Sequence, residues 1–420
     1  MALIGQDRAV SRPLPRWSAV VVGAAAVGVL LASSATAVLA DLSQSSGAST
    51  AAPSAPRPSS DKRVRARLPE LTAFVEKERG LAMRRPVDVE VLDDEEFLEA
   101  LNEGGEFVEG PDVGATFTAL GLVPVDEDVE AEAEAETEEY YDDGTVGFYD
   151  TTTERLVVRG DTFGPYEEMV LVHELTHALQ DQWFKTDRPE LYDGSETWIA
   201  FNALIEGDAT RVEQTWYLAQ TSKVQRKIDE EEYDTFADLD DVDEVEDEAD
   251  AAGAPASAPF DGDAEEDDFD VYAATGSFPY DAGVVMVEAL LEKGGQKLLD
   301  ATFRVPPTTT EQVLHPELIG AGSPLVPPAP APDGVVVDEG VLGELGLAMM
   351  LRNDPMKGGA QVGWEGDAYV TYESGEQVCT LANVLMSNAA TRDGLVAALR
   401  KRQTYATPRG DTGLLLKSCA

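Results

Sequence analysis

Cysteine, histidine and basic side chains are all scarce in this chain of 420 residues. It holds two cysteines, three histidines and 31 Lys+Arg, set against 80 Asp+Glu, for a formal net charge of −49. Two cysteines exclude a disulfide-dense scaffold and a four-cysteine metal site. So few bases exclude the clustered Lys/Arg surface that displaces counterions from phosphate, and with it a nucleic-acid partner. No internal repeat is evident. Hydrophobic residues make up 43%, close to the globular norm, so the chain as a whole is not disordered.

The acidity is concentrated in two runs. Residues 126–143 carry eleven acids and no base, and residues 229–270 carry twenty-one acids and no base. Without them the net charge is −17. Both have the self-repelling, low-complexity composition of solvated insertions. The second includes AAGAPASAPFDGDA, which reads as a linker. Calcium binding by DLDDVDEVEDE is the competing reading, but that stretch lacks the central glycine and spacing of an EF-hand loop.

Arg8, Arg12 and Arg16 precede an uncharged stretch from Trp17 to Ala40. It has the roughly 20 apolar residues that a bilayer span needs, and the bases before it orient the remainder outward. Two small-residue patterns, Ala35-Thr36-Ala37 and Val38-Leu39-Ala40, also suit signal cleavage. The expected organisation is therefore a signal-anchor or signal peptide over 1–40, a Ser/Ala/Pro-rich tether over 41–60, and one domain over 61–420 interrupted by the acidic insertions. Either form of the N-terminus puts that domain outside the cytoplasm. The membrane is then met through the N-terminal segment only. In an oxidising space Cys379 and Cys419 are expected to pair, with two buried thiols as the alternative.

Periodicity predicts a helix over 61–80, with Val64, Leu68, Leu71, Phe74 and Val75 on one face. A strand is expected over 87–92 and a helix over 95–102. Segments 145–149 and 155–159 flank a turn-prone DTTTE and read as a hairpin. Helices are expected over 166–184, 195–220, 280–292, 296–303, 341–351 and 393–402, with a helical turn over 308–314 and a strand over 367–373. The fold class is α+β, rich in helix, with a small mixed sheet in its first half.

Chemistry concentrates in VHELTHALQDQ, within the helix over 166–184. His173 and His177 are four apart, so both rings leave one helical face a turn apart. That spacing lets two ring nitrogens share one tetrahedral Zn2+. Glu174 lies beside them as a general base, in the H-E-x-x-H arrangement of zinc peptidases. The competing reading is a core helix with two satisfied histidines. A third ligand is needed, and the next helix offers Leu204-Ile205-Glu206-Gly207-Asp208. Glu206 follows an apolar run, where a carboxylate needs a cation. Glu196, near that helix's start, is its competitor and suits the N-terminal turn better. Asp208 is a candidate to accept a ring N–H from a ligand histidine.

His173 and His177 with a later glutamate on a second helix resemble the gluzincin metallopeptidases, whose zincin-like fold carries the metal on such a helix. The blocks GFYD…ERLVVRG, VHELTHALQDQ, ALIEGDA, FPYDAG…GG and PPTTTEQVLHPE, from about Gly147 to Glu317, resemble more closely an exported bacterial family of neutral zinc metallopeptidases. The resemblance implies His173, His177 and Glu206 as ligands and Glu174 as base. Two departures stand out. Glu206 follows His177 by 29 residues, more than in thermolysin-like enzymes, and Thr210 occupies the place of a histidine-orienting aspartate.

An oxyanion would also need a donor. Tyr280, expected at a helix start, and His315, before Pro316, are the candidates. A packing tyrosine and a helix-capping histidine are their plainer readings. Residues 155–159 are expected to offer an exposed edge to an extended substrate. The function expected is peptide-bond hydrolysis of a peptide or protein substrate outside the cytoplasm. The alternatives are a non-catalytic zinc-containing binding or structural domain, and a peptidase restricted to basic peptides by the acidic insertions.

Overall fold

The computed structural model describes residues 60–104, 114–123, 145–160, 163–191, 195–237, 271–322, 325–375 and 377–420. The N-terminal hydrophobic stretch, the tether up to residue 59, the acidic run 126–143 and residues 238–270 lie outside these. No helix among the described residues is long and apolar enough to cross a membrane.

The chain begins with α1 (Ser60–Arg79), which buries Val64, Leu71 and Val75. Next come β1 (Asp88–Leu92), α2 (Asp94–Gly104), α3 (Gly114–Ala119), β2 (Gly147–Asp150) and β3 (Arg155–Arg159). These three strands form a mixed sheet in the order β1-β3-β2. The pair β2–β3 is antiparallel across the expected turn, and β1 joins β3 in parallel. Strand β3 is therefore central, which corrects the expectation that residues 155–159 form a free edge. Its second side is taken by β1, more than 60 residues upstream, a pairing that local sequence does not announce. The edges of the sheet, among the described residues, are β1 and β2.

Helix α4 (Pro165–Phe184) packs on β2, β3 and α1, and α5 (Ser195–Leu218) packs on α4. Helix α6 (Ser222–Ala237) follows, and the second acidic run begins inside it. Ile228 of α6 is fully buried and docks the helix on the core just before the run begins, so the first residues of the run, 229–237, are helical. Helix α7 (Val271–Arg304) starts nine residues before Tyr280, which sits inside the helix and not at its start. It breaks at Gly295, where φ is 63°, a conformation glycine adopts without a Cβ penalty. Helix α8 (Thr310–Leu314) is short, with Thr309 as its cap.

The last hundred residues hold a second sheet that periodicity did not anticipate. Strands β4 (Val335–Gly340), β5 (Trp364–Ser374), β6 (Gln377–Met386), β7 (Tyr405–Arg409) and β8 (Gly413–Cys419) form an antiparallel sheet in the order β4-β5-β6-β8-β7. Helices α9 (Gly343–Met350) and α10 (Ala389–Lys401) lie between its strands in sequence. Cys379 and Cys419 face each other across β6 and β8 and form a disulfide.

Helix α5 belongs to two cores. Its first half, with Phe201, Ala203 and Leu204, joins the core formed with α7, α9 and the second sheet. Its second half, with Val212 and Trp216, joins the core of α1, α4 and the mixed sheet. Glu206 and Asp208 lie where the one hands over to the other. Gly207, between them, meets Gly283 of α7 so closely that a Cβ built on it would stand 2.1 Å from the Gly283 carbonyl carbon.

Candidate metal centre

Helix α4 is locked at both ends before it presents its side chains. Glu167 reaches back to the Gly164 N–H in a capping box, and Lys185 closes the far end in a left-handed conformation. From Met169 to Gln182 every residue is buried. Two imidazoles and a carboxylate in such a helix need partners.

Residues His173, Glu174 and His177 bring one donor atom each within 4.8 Å of one another. Glu206 of α5 completes the group from the opposite side. Its Oε2 lies 3.2 Å from His173 Nε2 and 3.4 Å from His177 Nε2. Ligands at about 2.0–2.1 Å from a tetrahedral zinc stand about 3.3 Å apart. Each nitrogen therefore already stands from the Glu206 oxygen at the spacing of two ligands in such a set. His173 is 0% exposed and Glu206 is 1% exposed, so water contributes little to satisfying them. These donors fit a zinc ion in chemical type, number and spacing.

The outer nitrogens of the rings are held differently. His173 Nδ1 donates to Glu213 Oε2 at 2.7 Å, and His177 Nδ1 donates to Gln180 Oε1 at 3.1 Å. In the neutral ring that metal binding requires, each bond leaves Nε2, the atom aimed at Glu206, as the one with a lone pair to offer. Neither partner was picked out from the sequence. Their spacing was the available signal: Gln180 is three after His177 and Glu213 seven after Glu206, so each shares a helical face with the candidate donor it follows. Thr210 is buried, and Glu213, a turn further along, reaches the ring in its place. Asp208 does not touch either ring. It accepts from Gln180 Nε2 at 3.0 Å and pairs with Arg79 Nε at 2.7 Å.

Charge follows from this packing. Burial would raise the pKa of Glu206, but His177 and His173 overcome it and hold the carboxyl down at about 2. Burial would lower His173, and the bonds to Glu206 and Glu213 reverse this and carry it to about 10. Glu206 is thus an anion that draws positive charge between the rings. Glu174 behaves otherwise. Burial raises it to about 6, only partly offset by His177 and His173. Neither of its oxygens makes a well-formed hydrogen bond, the Tyr149 backbone offering only a weak one. A fully buried, poorly hydrogen-bonded carboxyl with a pKa near neutrality is suited to exchanging protons.

Strand β2 passes beside this group. Arg159 N–H bonds to Val146 O, and the register opposes Gly147 to Val158 and Tyr149 to Leu156. In an antiparallel pair this alternation turns the backbone N–H and C=O of Gly147 and Tyr149 away from β3. The Tyr149 backbone acts on Glu174 from that side, and the Tyr149 hydroxyl donates to Asp181 at 3.2 Å.

The remaining candidates divide. Tyr280 is brought to the centre, its ring centroid 6.4 Å from that of His173. His315 is placed with another group, its Nε2 3.1 Å from the fully buried carboxylate of Glu344. Glu196 does not join the metal donors; it lies in the first turn of α5, as expected, and is also engaged elsewhere. It accepts from the Thr310 N–H at 2.9 Å and the Thr310 hydroxyl at 2.7 Å.

The fold and this cluster define a helix-rich α+β protein with a buried His-Glu-x-x-His group of zincin type. No family model, curated protein or solved structure matches the chain.

Proposed function

We propose that the chain is a zinc-dependent peptidase of gluzincin type, working outside the cytoplasm on a peptide or protein substrate. The observation that carries this is the meeting of both Nε2 atoms on one oxygen of Glu206, with the poorly hydrogen-bonded carboxyl of Glu174 alongside. A structural metal site closes its coordination with protein donors, whereas a catalytic one keeps a position open and a base near it.

His173, His177 and Glu206 would hold the metal. Zinc there supplies Lewis acidity, polarising a carbonyl and lowering the pKa of water toward neutrality. Glu174 takes the proton of the attacking water and returns it to the leaving amine, a task that suits its raised pKa. Tyr280, beside His173, is the donor we assign to the developing oxyanion. The outward backbone groups of Gly147 and Tyr149 would receive an extended peptide along β2. The exported bacterial family of neutral zinc metallopeptidases is the specific resemblance that this reading adopts.

Extracytoplasmic placement rests on the N-terminal basic-then-apolar segment, and the Cys379–Cys419 disulfide supports it. The test is paired. Purified protein contains about one zinc per chain, and Glu174→Gln keeps the zinc while abolishing cleavage of a broad peptide library. Absence of zinc overturns the metal site. Zinc without cleavage by the unaltered protein overturns the peptidase reading and leaves a binding or structural zinc domain.

A further inference from the structure

Arg79 is the last residue of α1 and stands outside every motif discussed so far, yet it is 0% exposed. A guanidinium is almost never buried without a purpose that repays its desolvation. Its Nε is 2.7 Å from Asp208 Oδ2, an aspartate that is itself fully buried. Its remaining nitrogens turn to Gln296 and Asp300 of α7, beyond the Gly295 break. The Asp208 oxygen that Arg79 holds is the one that accepts from Gln180 Nε2.

The direction of these bonds matters. Gln180 Nε2 has two acceptors, Asp208 Oδ2 at 3.0 Å and the Ile205 carbonyl at 3.0 Å. An amide nitrogen facing two acceptors leaves its carbonyl on the other side, where it meets His177 Nδ1. A carbonyl can only accept, so the ring proton sits on Nδ1 and the lone pair on Nε2. Turned over, the same amide would offer its NH2 to Nδ1 and move the proton to Nε2, where a metal could not bind.

We propose that Arg79 is a positioning residue of the metal centre. Through Asp208 and Gln180 it fixes the ring tautomer of His177, and so makes α1 part of the site. The chain of polarity runs from the guanidinium to the Asp208 carboxylate, to the Gln180 amide, to Nδ1–H. It rests on the metal reading above but not on the peptidase reading. His173 needs no such chain, since Glu213 is a carboxylate and can only accept.

The experiment measures zinc affinity of the full folded domain by competition with a chromophoric chelator, with thermal melting alongside. Changes in the arrangement around ligand histidines typically weaken metal binding about 10–100-fold. Gln180→Leu is expected to weaken zinc binding by that amount, and Arg79→Gln to give a loss of the same order. The double variant is expected to bind no more weakly than Gln180→Leu alone, because both cut one chain. Should Arg79→Gln not fold, Asp208→Leu combined with Gln180→Leu poses the same question. Either pair giving multiplied losses, or Arg79→Gln lowering the melting temperature with zinc affinity unchanged, overturns the proposal. Failure of the peptidase reading would appear only in hydrolysis and would leave these affinities as they are.

Discussion

Glu213 and His173 are joined by a 2.7 Å hydrogen bond from Nδ1 to Oε2, in a setting where His173 has no exposed surface. The bond orients the ring and raises its basicity from behind. Glu213→Ala is therefore expected to weaken zinc binding about 10–100-fold, read by chelator competition. Unchanged affinity would show that packing alone holds the ring.

Gly207 and Gly283 decide how near α7 stands to α5. A Cβ on Gly283 would meet the Ala203 carbonyl oxygen at 2.2 Å, and both obstacles are backbone. Alanine gains up to about 1 kcal/mol in helix propensity over glycine, but overpacking of this kind costs about 1–3 kcal/mol. Gly283→Ala is thus expected to lower stability. It should also move Tyr280, three residues earlier, away from His173 and reduce turnover more than it changes zinc content. A more stable, fully active Gly283→Ala would refute the crossing as drawn.

Glu196 gives stability a pH dependence of known sign. Burial raises its carboxyl from 4.5 to about 8, with Asp367 and Glu344 adding to the rise and the bonds from Thr310 opposing it. A carboxyl whose folded pKa lies above its unfolded one contributes stability that is complete below about pH 4.5. That contribution is lost as pH rises toward 8. Glu196→Gln removes the titration and keeps an acceptor for Thr310. The advantage in melting temperature of the unaltered protein over the variant should shrink, or reverse, between pH 5 and pH 9. A constant gap would contradict the assignment.

The Cys379–Cys419 bridge spans a sequence separation of 40 residues and ties β8 to β6. In the chain-entropy picture a loop of this size is worth roughly 3–4 kcal/mol. Replacing both cysteines by serine should lower the denaturation midpoint accordingly. The native sheet pairs these strands without the bridge, so zinc affinity should be unchanged.

The metal helix was legible because two of three histidines fall at one helical spacing around a glutamate, a pattern that needs no tertiary knowledge. Glu206 was legible because an apolar run precedes it. Glu213 and Gln180 were not, since each matters only through a ring supplied by the neighbouring turn or helix. The second sheet hid for a different reason. In β6 the outward positions Leu381 and Leu385 are as apolar as the inward Ala382 and Val384, so no period of two emerges. Strand β4 exposes Val335, Val336 and Val337, and composition there points the wrong way. The acidic stretch of α6 read as a solvated insertion because its buried contacts come from Val224 and Ile228, before the charges begin.

The central claim is that Glu174 acts on water beside a metal held by His173, His177 and Glu206. The most direct measurement sets zinc stoichiometry beside peptide hydrolysis for the unaltered protein and for Glu174→Gln. The account predicts about one zinc per chain in both proteins and hydrolysis in the unaltered one alone. Hydrolysis retained by Glu174→Gln, or zinc lost with it, would contradict that claim.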